Sequence, residues 1–165
     1  MQYRSLPKSP ETLIPLLGFG CMRLPVIDRD MARIDEERAG ALIHSAVSRG
    51  VTYLDTAYPY HGGHAEPFLG RLLEGGLRER VQLATKLPTW LVKTEADFER
   101  LIDEQLSRLR TDRIDFYMLH SLSGEDWDVV QRLRGLDALE RARADGRLRY
   151  LGFSFHGSPD SFTAI

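Results

Sequence analysis

The chain has 165 residues, a formal net charge of −2, 42% hydrophobic and 28% charged residues. That composition is globular and not disordered, and its near-neutral balance leaves no basic footprint for nucleic acid. No apolar run approaches the roughly 20 residues that span a bilayer, the first residues lack a signal-peptide core, and a single Cys21 excludes an internal disulfide, so the expectation is a cytoplasmic protein without a membrane partner.

In chain order, short apolar runs alternate with amphipathic stretches. Residues 3–6 and 12–16 are expected to form a short N-terminal hairpin, and residues 16–20 a buried strand. A helix is predicted over 35–49: Asp35 can cap it, Ala39, Leu42, Ile43, Ala46 and Val47 recur on one face, and Gly50 stands at the stop. His44 falls beside that face and reads as structural. Residues 51–57 read as the next strand and 64–74 as a shorter helix, with Phe68, Leu69, Leu72 and Leu73 inside and Gly75-Gly76 at its end. The third strand covers 81–87. Thr94 with Asp97 resembles a capping box, opening a helix whose buried side is Phe98, Leu101, Ile102, Leu106 and Leu109.

Ile114 to Leu119 is the fourth strand, apolar except at Asp115. One long helix is predicted from 126 to 145, stopped by Gly146, followed by a fifth strand over 148–155. Ser158-Pro159-Asp160 then opens another helix. Strand–helix alternation at this spacing implies βαβ units on a parallel sheet. Right-handed crossovers leave two closures, an open doubly wound sheet or a barrel. A whole (β/α)8 barrel needs about 250 residues, so a barrel here is an incomplete one of about five β/α units within a single domain over residues 1–165.

The polar residues fall at strand ends: Gly20-Cys21, Asp55, Lys86, His120 and Ser154. In a parallel barrel these ends gather at one mouth, where active sites lie. Asp55, Lys86 and His120 come from three consecutive strands, and Tyr60 follows Asp55 in the adjoining loop. A lone buried lysine is costly, and a neighbouring carboxylate offsets that cost. A lysine beside a phenol favours the phenolate, and an imidazole can donate a hydrogen bond to a substrate oxygen. Such a set suits proton delivery to a carbonyl oxygen as charge develops on it. No side chain here supplies hydride, which points to a nicotinamide cofactor. On the residues alone, Tyr58 and Tyr60 compete equally for the acid's role.

Asp55-Thr56-Ala57-Tyr58-Pro59-Tyr60 resembles the D-T-A-x-x-Y signature of the aldo-keto reductases. Ala84-Thr85-Lys86, the run from Asp112 through Asp115 to His120, Leu17-Gly18-Phe19-Gly20-Cys21-Met22 and Gly146 through Ser154 are similar to further segments of that family, in the same order. The resemblance implies an NAD(P)H-dependent oxidoreductase reducing aldehydes or ketones on a (β/α)8 barrel, with NADPH as cofactor and a small carbonyl compound as substrate. It implies a tetrad in which Tyr60 is the general acid, Lys86 promotes its proton transfer, Asp55 orients Lys86 and His120 positions the carbonyl. Gly20, Cys21, Met22 and Asp55 would flank the ribose and nicotinamide, and Ser154 would bond the carboxamide. Where many members carry Ser-Asn on the fifth strand, this chain has Ser154-Phe155. The details Gly-Cys-Met-Arg-Leu-Pro and Gly-Phe-Ser-Phe-His resemble a bacterial branch that often appends a ferredoxin-like segment. The chain lacks the cysteines for one, so no iron–sulfur cluster is expected in it.

Other readings of these residues are weaker. Gly18-Phe19-Gly20 lacks the third glycine of a dinucleotide fingerprint and reads as a strand-end turn. His61, His64, His120 and His156 could suggest a metal-dependent barrel hydrolase, but their spacing is not that of a ligand set, and no metal is expected. Cys21 reads as a packing or cofactor-contact residue and not a nucleophile. An NADPH-binding regulatory subunit without turnover is the alternative on the same fold. Five strands and an unfinished last helix give the expectation that this chain alone is an inactive fragment, able to self-associate through open sheet edges.

Overall fold

The computed structural model describes the backbone of residues 1–165 and every side chain except that of Ala164. Strands β1 (Tyr3–Leu6) and β2 (Ser9–Pro15) pair antiparallel as the expected hairpin. There follow β3 (Phe19–Gly20), α1 (Glu36–Ser48), β4 (Tyr53–Asp55), α2 (Ala65–Leu73), β5 (Gln82–Leu87) and α3 (Ala96–Leu109). The chain continues through β6 (Ile114–Leu119), α4 (Gly124–Arg132), α5 (Gly135–Ala144), β7 (Leu148–Phe153) and α6 (Pro159–Ala164). Strands β3 to β7 form one parallel sheet in strictly sequential order. That order decides between the two closures. A doubly wound sheet reverses direction at a switch point, whereas a barrel wall adds every strand on the same side. The architecture is a partial (β/α)8 barrel of five strands.

Most helix ends follow from local chemistry. The Asp35 side chain accepts from the Arg38 amide at 3.1 Å, and Gly50 stops α1 at φ 90°. Ser123 caps α4 and Ser158 caps α6. Asp97 reaches back to the Thr94 amide at 2.8 Å, but Thr94 donates its hydroxyl to Asp97 instead of capping the helix, so only half of the expected box forms.

Three expectations need correction. The long helix over 126–145 is two helices, broken at Arg134, whose φ is 52°. The cause is tertiary: Gly135 lies so close to the buried Phe98 ring that a Cβ there would come within 2.3 Å of it, and α5 must turn to pack on α3. The buried strand over 16–20 shrinks to β3, with Leu16 and Leu17 57% and 60% exposed, because β3 is an edge strand paired only with β4. His44 and Leu42 face solvent. Helix α1 joins this edge strand to β4, and its buried stripe narrows to Ala39, Gly40, Ile43 and Val47.

The two faces of the sheet differ. Outward-facing Leu54, Leu83, Leu87, Tyr117 and Leu119 pack under Ile43, Phe68, Leu69, Phe98, Leu101, Ile102 and Leu139. Each such buried side chain contributes about 1.5–3 kcal/mol. Most polar groups in this layer are hydrogen-bonded. Glu66 accepts from Thr85 at 2.7 Å and from Gln105 at 2.6 Å, and Tyr117 donates to Gln105 at 2.7 Å. Burial pushes the Glu66 carboxyl up, although these donors and Arg108 oppose it. Asp115, the odd polar residue of β6, meets Arg78 at 2.9 Å and accepts from the Leu83 amide at 2.9 Å, tying β5 to β6. On the inner face, Tyr53, Phe116 and Tyr150 stack near the strand starts with centroids 5.0 Å apart in each pair. The hairpin lies at that end: Tyr3 donates to Gly50, Gln82 to Leu13, and Thr12 bonds Tyr150. The opposite end, where the strands finish, is the mouth.

Candidate active site

Register brings the mouth residues together. Asp55 lies opposite Gly20 and Ala84, and Lys86, two residues beyond Ala84, shares its face by the period-2 rule. The Lys86 side chain is only 7% exposed and its Nζ is triply engaged. It donates to Asp55 Oδ1 at 2.8 Å, to the Thr56 carbonyl at 2.7 Å and to the Tyr60 hydroxyl at 3.4 Å. The ammonium also stands 5.0 Å from the Tyr60 ring centre. The carboxylate and the backbone oxygen offset the desolvation of the ammonium and aim it at the phenol. Tyr60 opens a tight turn over Tyr60–Gly63, in the connection that leaves β4.

His120 follows β6, and its amide extends the ladder by donating to Leu87 O at 3.0 Å. Its ring is edge-on to Tyr60 at 6.0 Å and tilted against Trp90 at 5.3 Å. Burial, and then the positive charge of Lys86, lower the imidazole to about 4, while Asp55 works in the opposite direction. The ring is therefore neutral near pH 7 and able to donate from one nitrogen. Nδ1 is buried and has no partner.

Tyr58 points elsewhere. Its hydroxyl donates to Glu104 of α3 at 3.0 Å, and its ring lies 3.9 Å from the Arg108 guanidinium. Of the two competing tyrosines, only Tyr60 has its hydroxyl beside Lys86.

The residues expected to hold a cofactor line the same rim in part. At Gly20 a Cβ would meet nothing within 4 Å, so this strand end is open. Met22 is 52% exposed just beyond it. Cys21 is wholly buried between them, and burial together with the charge of Asp55 raises its thiol to about 12, which suits packing and not nucleophilic attack. Ser154 Oγ accepts from the Ser121 amide at 2.7 Å, so its own proton remains available to donate to a carboxamide. Among the described residues no group of three His, Cys, Asp or Glu side chains is placed to hold a metal ion. His61 is instead bound to backbone groups.

Three contributors escaped the sequence reading. The Thr56 carbonyl on Lys86 has no side-chain signal. Trp90 beside His120 lies in a loop with no apolar period to place it. His61, one of the scattered histidines of the sequence, is buried next to Tyr60 in the chain and bonded to two backbone groups.

The model of the aldo/keto reductase family matches residues 16–164. The aldo-keto reductase yakc [NADP(+)] of Schizosaccharomyces pombe is 32% identical over 151 residues, 86% of this chain and 42% of that protein. The 6-dehydroglucose reductase of Novosphingobium aromaticivorans is 37% identical over 130 residues, 70% of this chain and 41% of that protein. Among solved structures, the holo form of aldo-keto reductase AKR11C1 from Bacillus halodurans superposes with a TM-score of 0.77 at 31% identity, over 94% of this chain and 50% of that one. An aldo/keto reductase from Klebsiella pneumoniae, solved with NADP and acetate, gives 0.71 at 27% identity, over 93% of this chain and 50% of that one. The chain spans about half the length of the relatives it matches.

Proposed function

Because the chain belongs to the aldo/keto reductase family, we propose that the protein carrying it reduces an aldehyde or ketone to the alcohol, with NADPH as the hydride donor. The observation that carries this reading is the convergence of Asp55, Lys86, Tyr60 and His120 at one mouth of the sheet, with Lys86 Nζ bonded to both the carboxylate and the phenol. Gly20, Met22, Asp55 and Ser154 are the residues at the rim that would hold the nucleotide's nicotinamide end, with Cys21 packed behind them. NADP is named with the Schizosaccharomyces pombe and Klebsiella pneumoniae relatives. NADPH, when bound, supplies the hydride to the carbonyl carbon.

The side chains then manage the carbonyl oxygen. Tyr60 gives its hydroxyl proton to that oxygen as negative charge develops there. The ammonium of Lys86 stabilises the phenolate left behind, and Asp55 with the Thr56 carbonyl keeps the ammonium in place. His120, neutral at working pH, donates a hydrogen bond to the same oxygen and orients it. The balance is one hydride to carbon and one proton to oxygen, with the Tyr60 proton restored from solvent.

The test uses the protein in its natural length, a panel of aldehydes and NADPH deuterated at the transferred position. The expected result is an alcohol carrying one deuterium on the former carbonyl carbon. NADPH left unconsumed across the panel, or an alcohol without the label, would count against the reading.

A further inference from the structure

His61 follows Tyr60 directly and is 3% exposed. Its ring makes two hydrogen bonds, both to backbone. Nε2 accepts from the Leu24 amide at 3.1 Å, and Nδ1 lies 2.8 Å from the Met31 carbonyl. The pairing fixes the tautomer. An amide N–H needs a lone pair and a carbonyl needs a proton, so the ring is neutral with its proton on Nδ1.

Both partners belong to the segment leaving β3. Beyond Leu24 it folds into a compact loop, closed by the Val26–Ile34 bridge and by Asp35 N donating to Pro25 O at 2.9 Å. The loop turns through Asp28 and Arg29 and packs Ala32 against Gly62. His61 thus bolts this loop, which continues from Gly20–Met22, to the turn that carries Tyr60. His61 lies at φ 55°, and the next residue, Gly62, lies in the same left-handed region.

We propose that His61 is a positioning residue for the reduction: its neutral ring holds the Tyr60 turn and the Gly20–Met22 rim at a fixed separation. The proposal rests on the reading of Tyr60 as proton donor. His61 touches neither the reacting atoms nor the cofactor in this scheme and acts through the two backbone segments it joins. Misplacement of a reacting group by about 1 Å costs up to about 10²-fold in rate, so loss of the clamp should appear in kcat before it appears in binding.

The experiment compares His61→Phe, which keeps the ring and deletes both bonds, with His61→Gln, whose amide keeps one donor and one acceptor. In the protein at natural length, His61→Phe should lower kcat about 10–100-fold with the NADPH Kd close to the parent's, and His61→Gln should recover most of the loss. Equal kcat in all three proteins overturns the proposal, and so does an equal loss in both variants, which would mark a packing role only. Independently of any activity, nitrogen-15 spectra of the unsubstituted protein report the ring: a proton on Nδ1 alone supports the clamp, and a proton on Nε2 contradicts it. If the parent reduces no carbonyl but the ring carries its proton on Nδ1, the Tyr60 reading has failed and the clamp has not.

Discussion

In the proposed reduction the protonation of His120 decides whether it orients the carbonyl or donates the proton, and it can be measured on the chain itself. Burial and the Lys86 charge lower the imidazole from 6.5 to about 4, with a smaller repulsion from His156 and an opposing attraction from Asp55. Between those two values an unfolded chain takes up a proton that the folded chain refuses. The resulting contribution to stability is complete above 6.5, shrinks as the pH falls below it and is gone once the pH has dropped through about 4. For a wholly buried group that interval corresponds to about 3 kcal/mol. The ring is only half buried, and screening by water reduces the figure to about 1–2 kcal/mol. Urea unfolding of the parent and of His120→Gln at about pH 8 and about pH 4 should show the parent losing about 1–2 kcal/mol more than the variant. A titration of the ring carbons by NMR should place the midpoint near 4, and Lys86→Met, by removing a repelling charge, should move it upward. A midpoint near 6.5 in the parent would refute the reasoning, because the ring would then show no net effect of the burial and the Lys86 charge invoked for it.

Three further outcomes test the frame around the site. Arg78→Met leaves the Asp115 carboxylate, 8% exposed, with only the Leu83 amide, and should cost about 3–5 kcal/mol in urea unfolding; an unchanged midpoint would show that β5 and β6 do not depend on this pair. Gly135→Ala drives a Cβ into the Phe98 ring and should cost about 1–3 kcal/mol, whereas Gly124→Ala, with nothing within 4 Å, should not destabilise the chain. Tyr58→Phe deletes the bond to Glu104 and should lower stability by about 0.5–1.5 kcal/mol while leaving the carbonyl-reduction rate of the natural-length protein near that of the parent.

Much of the fold was legible because local chemistry determines it. The runs behind β5 and β6, the Asp35 and Ser158 caps and the glycines at 50, 75 and 146, all at positive φ, say where elements stop without reference to the rest of the chain. The break at Arg134 was not legible, since its cause is the Phe98 ring on another helix. The exposure of Leu16, Leu17 and Leu42 likewise depends on which strand lies at the sheet's edge, a property of topology and not of composition. At the site, period-2 alternation and parallel pairing were enough to expect Asp55 and Lys86 on one face. The choice between Tyr58 and Tyr60 was not decidable from spacing, because Tyr58 is drawn away by Glu104 and Arg108, far along the chain on α3. The family resemblance pointed to Tyr60, and the structure places the Tyr60 hydroxyl 3.4 Å from Lys86 Nζ. Backbone participants, such as the Thr56 carbonyl on Lys86 and the two groups held by His61, carry no residue-type signal and emerge only from coordinates.

The most direct test of the central claim is the rate of aldehyde-dependent NADPH consumption by Tyr60→Phe beside the parent, both at natural length. The variant loses only the hydroxyl that faces Lys86 at 3.4 Å, and the ring that packs against His120 remains. The proposed role of Tyr60 predicts a fall in kcat of about 10²–10⁴-fold with NADPH affinity close to the parent's, because in it the phenol acts on the carbonyl oxygen and not on the nucleotide. A Tyr60→Phe protein that kept most of the parent's kcat would contradict it.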